Sequence, residues 1–412
     1  MAVKLSTAGE RTPGMKLLLV ALVGAVLVVP LLLVYALVYD RKSQSETARA
    51  TITQGWGGEQ TIAGPVVVIP YRDTQVETSD ENGLRIQRSV DVIRELYLSP
   101  LAHSAVTRLA PERRRKSIYE SVLYDATVSG KARFALPADL ARFGVAREAL
   151  LLDRAELRFG VSDARGLRPG STVTADGEAL TQQPGKGLAA TGGAGFFAFV
   201  AWDGAAPLEV AYSYGLRGSG QLALVPRGGS TRWQIASRWP HPSFAGSFLP
   251  DSSNVTDAGF EATYSVDKLA LGQAPVMTDD PGPPIPSRPG GVEIAPTMTD
   301  AASATGPSRA LVVALIEPVD LYSQVDRAVK YGFLFIGFTF LAFLMFDLVG
   351  GARVAPAEYL LTGAGLVLFF VLLLAFAEVI GFTAAYLLAS AAIIGLLTAY
   401  SAAVLDSWRR AR

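Results

Sequence analysis

His241 stands between Pro240 and Pro242, with Ser237 and Ser243 on either side. A serine beside a histidine is the first half of an acyl-transfer site, in which the imidazole takes the hydroxyl proton and an acid orients the imidazole. Such a site also needs its nucleophile lifted onto a sharp turn, and no G-x-S-x-G elbow occurs. The stretch reads instead as a rigid aromatic turn, its backbone fixed by the prolines and anchored by Trp239, Phe244 and Phe248. An exposed Trp239 would alternatively bind a glycan or a partner protein.

Other candidates lie elsewhere. Asp163-Ala164-Arg165-Gly166 offers a carboxylate beside a guanidinium. Sugar cleavage would need a second acid about 5 to 10 Å away, and the sequence identifies none. The expected role of Asp163 is therefore to cap a turn in which Gly166 takes a positive φ. The glycines of Gly55-Trp56-Gly57-Gly58 are followed by Glu59 and Gln60 rather than the Lys and Ser/Thr of a phosphate-binding loop, and a carboxylate there would repel phosphate. They are read as the entry to a buried strand, Val66 to Ile69, closed by Pro70. Arg113-Arg114-Arg115-Lys116 could touch anionic head groups or envelope polymers. With Glu112 and Glu120 flanking it, the run reads as a solvated loop before a strand. Glu378 sits where two apolar segments meet, at an interface rather than deep in hydrocarbon.

Composition bounds the rest. The chain has 412 residues, half of them apolar, 18% charged, with a net charge of zero. That balance argues against a nucleic-acid partner, which would require a basic face. There are no cysteines and two histidines, so disulfides, thiolate ligands, a thiol nucleophile and a multi-histidine metal site are excluded. No catalytic, cofactor-binding or metal-binding residue is assigned. The mean hydropathy is positive, which points to a membrane protein.

Residues 16–39 carry no charge after Lys16 and exceed the about 20 helical residues that cross a bilayer. They form an expected uncleaved signal anchor through Pro30, preceded by a cytoplasmic tail, 1–15. Further spans are expected at 329–349, 359–377 and 380–404, the last two as a tight hairpin. Lys4, Arg11 and Lys16, then Arg353, then Arg409, Arg410 and Arg412 flank alternate ends of these spans. By the excess of positive charge on the cytoplasmic side, both termini face the cytoplasm and residues 40–327 lie in the periplasm.

That region alternates apolar and polar residues. Ala155, Leu157, Phe159 and Val161 share a face; so do Leu208, Val210, Tyr212, Tyr214 and Leu216, then Trp233, Ile235 and Trp239, and Phe260, Ala262, Tyr264 and Val266. Recurrent Gly and Pro turns favour a sandwich-like β domain. Residues 140–152 could form a short helix and 311–316 a last strand. Residues 272–308, rich in Pro, Gly, Ser, Thr and Asp, cannot bury enough apolar surface to order themselves and are expected to be a disordered insert. The fold class is thus an integral membrane protein of α+β type, with an N-terminal anchor, a β-rich periplasmic domain and a C-terminal helix cluster.

Ser237-Arg238-Trp239-Pro240-His241-Pro242-Ser243-Phe244 with Phe248-Leu249-Pro250 resembles the signature of the CreD family of inner-membrane cell-envelope-integrity proteins. Gly64-Pro65, Asp163 to Gly166, Gly218-Ser219-Gly220, Asp326-Arg327-Ala328 with Lys330-Tyr331, and Glu378 with Gly381-Phe382 extend the resemblance along almost the whole chain. The resemblance implies the same three-part architecture, ties to a carbon-source-responsive regulon, and roles in envelope maintenance, colicin tolerance and β-lactam response, with no catalytic residues to carry over. Four features depart from the family. Tyr264 replaces a frequent Trp, Val379 replaces a His that would make a relay with Glu378, the Pro-rich insert is long, and the sequence stops at Arg412 where the family usually continues with further hydrophobic segments, as expected of either a fragment or a naturally shortened member. The expected function is a non-enzymatic support of the envelope, with the bilayer as partner together with envelope polymers or other membrane proteins. The alternatives are a membrane-tethered periplasmic hydrolase and a transporter component.

Overall fold

The computed structural model describes residues 13–81, 84–116, 119–284, 308–315, 321–348, 356–404 of the chain. They fall into two compact units, Met1–Ala48 with Ser117–Tyr119 and Pro318–Arg412, and Arg49–Lys116 with Glu120–Glu317.

The second unit is a β sandwich. Its strands in chain order are β1 (Gln60–Glu81), β2 (Leu84–Leu98), β3 (Ala102–Lys116), β4 (Tyr119–Phe134), β5 (Glu156–Val161) and β6 (Thr172–Ala175). Next come β7 (Glu178–Ala179), β8 (Gln183–Pro184), β9 (Gly195–Phe199), β10 (Leu208–Ser219), β11 (Gln221–Val225) and β12 (Ser230–Ser237). The last are β13 (Pro242–Gly246), β14 (Ser252–Thr256), β15 (Gly259–Asp267), β16 (Val276–Met277) and β17 (Leu311–Leu315), with a single helical turn, α2 (Lys268–Leu271), after β15. One sheet has the order β13-β17-β11-β1-β5-β9-β8, with β2 and β16 beside β1; the other runs β14-β15-β12-β3-β4-β10-β6-β7.

The alternating residues meet where expected. Leu157, Phe159 and Val161 of the first sheet and Tyr212, Tyr214, Trp233 and Tyr264 of the second enter one core. Trp233 and Tyr264 stack at 5.3 Å and are fully buried. The indole N–H of Trp233 donates to Thr107 at 2.9 Å, so its polar atom is satisfied inside. Tyr264 thus fills the position where a Trp is usual, ring against ring.

Several expectations change. The strand beginning at Val66 does not close at Pro70 but runs on to Glu81. Pairing with β5 ends at Val68, so the proline ring sits where no neighbour needs its missing N–H, and its carbonyl accepts from Leu151 at 2.8 Å. Residues 140–152 form short 3₁₀ turns at Leu140–Phe143, Arg147–Ala149 and Leu152–Arg154 rather than one helix. Arg113 to Lys116 belong to β3, not to a loop. The insert expected to be disordered over 272–308 begins as ordered chain: β16 pairs with β2, and Asp280 is fixed by Arg227. Composition hides this because single anchors, not an apolar face, hold it. Residues 285–307 lie outside the described residues.

α1 (Pro13–Gln54), whose residues up to Ala48 belong to the first unit, continues through Pro30 and beyond the apolar stretch. It is followed by α3 (Leu321–Lys330), α4 (Gly332–Leu348), α5 (Pro356–Ile380) and α6 (Phe382–Val404). Four stretches, Gly14–Thr53, Leu321–Met345, Ala357–Ile380 and Phe382–Tyr400, are long and apolar enough to cross a membrane. The segment expected at 329–349 therefore starts earlier, because amphipathic α3 stacks its Tyr322, Val325 and Val329 into the helix core ahead of α4. Gly363 of α5 lets Leu27 of α1 approach so closely that a Cβ there would lie 2.1 Å from its side chain. Gly381, at φ +80°, makes the break between α5 and α6.

Candidate functional site

Strand register builds the leading candidate. Ala236 of β12 pairs with Arg108 of β3 on one side and Glu261 of β15 on the other, and Glu261 pairs with Asn254 of β14. All four side chains therefore point to the same outer face of the sheet. Ala236 is short, so it leaves a gap between a cation and an anion held about 10 Å apart by two strand spacings. The result is a groove of about 380 Å³, bordered beyond the Ala236–Glu261 pair by Ser237 with its partner Phe260, by Arg238 and by Thr256. Among the described residues, Arg108, Arg238 and Glu261 form no ion pair, so their charge is available to a ligand.

The signature turn adjoins this groove through Arg238. Trp239 is buried, 5% exposed, and the guanidinium of Arg113 lies 5.0 Å from its ring centroid. It is a packing anchor and cation partner, and its burial removes the reading as an exposed glycan platform. Phe244, on β13, meets Phe260 edge-to-face at 5.8 Å. His241 is exposed at the start of this strand, and among the described residues no carboxylate pairs with it. The serines near it are likewise without a bond to its ring, so the first step of acyl transfer has no geometry here.

Asp163 and Arg165 come together around the glycine-rich stretch. Asp163 accepts from the Arg165 backbone N–H at 3.1 Å and is gripped by the Arg165 guanidinium at 2.8 and 2.9 Å. The Arg165 side chain, joined by backbone N–H groups of Arg165 and Gly58, holds the Asp163 carboxyl below its usual range. Capping is thus observed, but Gly166 serves a different purpose from the positive φ expected. A Cβ on it would lie 2.4 Å from the Arg217 carbonyl and 2.7 Å from Gln60 Nε2. Gln60 is the hub, donating to the Asp163 and Arg217 carbonyls at 3.2 and 2.9 Å. Trp56 is sandwiched between the guanidiniums of Arg114 and Arg217, at 4.0 and 4.1 Å. The glycines of this stretch therefore seat an aromatic–cation stack at the entry to β1; Gly57, at φ +119°, passes within 2.8 Å of the Arg217 carbonyl as measured from its would-be Cβ.

Glu378, near the end of α5, is only 17% exposed. It accepts from the Tyr322 hydroxyl of α3 at 3.3 Å and lies 3.9 Å from Arg41 Nε of α1. It joins three helices beside the Gly381 turn.

Two ionic groups were not visible in the sequence. On the outer face of the first sheet, Arg158 is held between Glu95 and Glu156, and Lys186 reaches Glu156 at 2.5 Å. Burial opposes ionisation of Glu95, but the hydrogen bonds from Arg158 and Tyr97 outweigh it and leave the carboxyl below its usual range. Arg227 is fully buried and meets Asp280 at 2.7 Å. Only alternation marked β5, and it assigns Glu156 and Arg158 to solvent; the covering loop around Leu188 to Ala190 is what buries them.

Among the described residues no three or more His, Asp or Glu side chains are grouped as a metal site would require. Solved structures that the chain resembles include an M1 zinc metallopeptidase from Deinococcus radiodurans, at a TM-score of 0.23 and 7% identity over 53% of this chain and 42% of that one. A mutant of an M1 zinc metallopeptidase from the same organism, bound to a Tyr-Ser-Ala substrate, gives 0.21 and 7%, over 41% and 39%. Likeness at this level carries no argument about fold or activity. Sequence is far more informative. The family model for inner membrane protein CreD matches residues 12–412. The Inner membrane protein CreD of Escherichia coli (strain K12) is 31% identical over 396 residues, 94% of this chain and 81% of that protein. The chain belongs to the CreD family of inner membrane proteins.

Proposed function

We propose that this protein supports cell-envelope integrity by binding, through a periplasmic β sandwich that its helices tether to the inner membrane, and that β-lactam and colicin response are the stresses in which this shows. The observation that carries the proposal is the groove over Ala236, in which Arg108, Arg238 and Glu261 stand beside the signature turn without forming ion pairs among the described residues. A groove with two cations and one anion suits a zwitterionic or acidic chain carrying an amine, the chemistry of an envelope polymer bearing short peptides. Exposed His241, with no carboxylate partner among the described residues, leaves the hydrolase alternative less support. The periplasmic placement rests on the Lys and Arg residues around the spans.

The absence of cysteine makes sidedness directly testable. A single cysteine placed at Ser253 of β14 should react with a membrane-impermeant maleimide in intact cells whose outer membrane is permeabilised. Labelling only after inner-membrane lysis would overturn the orientation. A strain lacking the gene should regain detergent and β-lactam resistance with His241→Ala as fully as with wild type; failure of that folded variant would revive catalysis.

A further inference from the structure

The helical unit contains a second cavity, unrelated to the groove on the sandwich. It measures about 520 Å³ and lies between α3–α4 and the α5–α6 hairpin, walled by Tyr331, Phe335, Phe370, Tyr386 and Ile393. Its polar groups are Gln324, Arg327 and Ser390. Gln324 and Arg327 are three residues apart and so project from one face of α3. The α3 end of the cavity is the end at which α5 turns into α6, since Tyr322 reaches Glu378 and Phe382 lines the same space. The cavity therefore has its cation, Arg327, and Gln324 at a membrane face and is mainly apolar below it, with Ser390 deeper along α6.

Its dimensions select the occupant. From Phe382 to Ile393 the wall descends α6 by ~16 Å at about 1.5 Å per residue. That is about half of a hydrocarbon core of ~30 Å, the depth of one leaflet. An extended acyl chain has that reach and is narrow enough to lie between the helices along α6. One acyl chain suits it. At the mouth, Arg327 uses its Nε to donate to the Ser323 carbonyl at 3.2 Å, and among the described residues no carboxylate pairs with its guanidinium. Two terminal nitrogens are left to face a phosphate, with the Gln324 amide one turn away.

We infer that this cavity is a binding site for an anionic glycerophospholipid, one acyl chain lying along α6 and its phosphate held by Arg327. The whole chain, purified in detergent, would be given phosphatidylglycerol or phosphatidylcholine at equal concentration and read by native mass spectrometry. Wild type should retain one phosphatidylglycerol about tenfold better than phosphatidylcholine. Arg327→Gln should abolish the preference, Arg327→Lys should restore part of it, and Ser390→Trp should exclude both lipids by filling the cavity. Equal retention of the two lipids by wild type, or an unchanged preference in Arg327→Gln, would overturn the inference. Displacement of phosphatidylglycerol by an equal amount of a polyprenyl phosphate would overturn the assignment to a glycerophospholipid. Arg327 is exposed, so its substitution leaves the helix packing intact and decides the matter if the tryptophan variant misfolds.

Discussion

Replacing Asp280 by alanine should destabilise the β sandwich far more than its place in a Pro-rich insert suggests. Its carboxylate meets the guanidinium of Arg227 at 2.7 Å, and the two side chains are 8% and 0% exposed. It also accepts from the Ala189 N–H at 2.5 Å, in the turn that covers the outer face of the first sheet. Removing it leaves a buried cation whose Nε and Nη1 already lack partners among the described residues. Burial pushes the Arg227 pKa down, but a guanidinium does not lose its proton near neutrality, so the charge cannot be relieved. Breaking one partner of a buried pair costs about 3–5 kcal/mol, whereas replacing both by apolar groups of similar size is often neutral. Asp280→Ala should therefore cost at least about 3 kcal/mol by that range, and Arg227→Met with Asp280→Leu should recover most of it. The assay is urea unfolding of the detergent-solubilised protein followed by tryptophan fluorescence, since Trp202, Trp233 and Trp239 lie in the core. A loss below about 1 kcal/mol in Asp280→Ala, the scale of an exposed pair, would refute the reasoning.

Other expectations follow from single contacts. His103 is buried against the Tyr212 hydroxyl at 2.7 Å, and burial lowers its pKa from 6.5 to about 4. Its neutral form is the folded form, so stability is complete above about pH 6.5 and falls as pH drops toward 4, by roughly 3 kcal/mol in all. Glu59, raised by burial, acts with the opposite sign, so the readout is the difference between wild type and His103→Phe, whose pH slope between 4 and 6.5 should be shallower. Gly166→Ala should cost about 1–3 kcal/mol in the same unfolding assay, because the 2.4 Å contact is with a backbone oxygen that cannot retreat without breaking the Gln60 hub. Glu378→Gln should change the thermal stability of the helical unit by less than about 1 kcal/mol, since Arg41 is 41% exposed and 3.9 Å away; a larger loss would make Glu378 more than a helix connector.

Alternation makes the sandwich legible: Leu208 to Leu216 and Phe260 to Val266 need only a strand period to be placed, and the structure buries each on the face that the period assigns. The membrane helices are legible for the same reason, as uninterrupted apolar length. What the sequence conceals depends on contacts distant along the chain. The groove exists because Arg108, Ala236, Glu261 and Asn254 come into register from four strands, and no local pattern relates them. Arg113 and Arg114 read as a solvated run because charge is visible in a sequence and the Trp239 and Trp56 rings beside them are not. Gly166 reads as a turn glycine because close approach of two backbones leaves no mark in composition. The burial of Arg158 and Arg227 requires loops that fold over them, which periodicity does not foresee.

The groove beside the signature turn is, in this account, the surface through which the protein acts. That claim is tested most directly by complementing a strain that lacks the gene with Arg108→Ala plus Arg238→Ala, at matched membrane levels, and measuring survival in detergent and a β-lactam. Both side chains are exposed, so folding should be unaffected. The expected result is that this variant fails to restore resistance while His241→Ala succeeds. Full resistance with both arginines removed would contradict it and would move the search for the working surface elsewhere on the molecule.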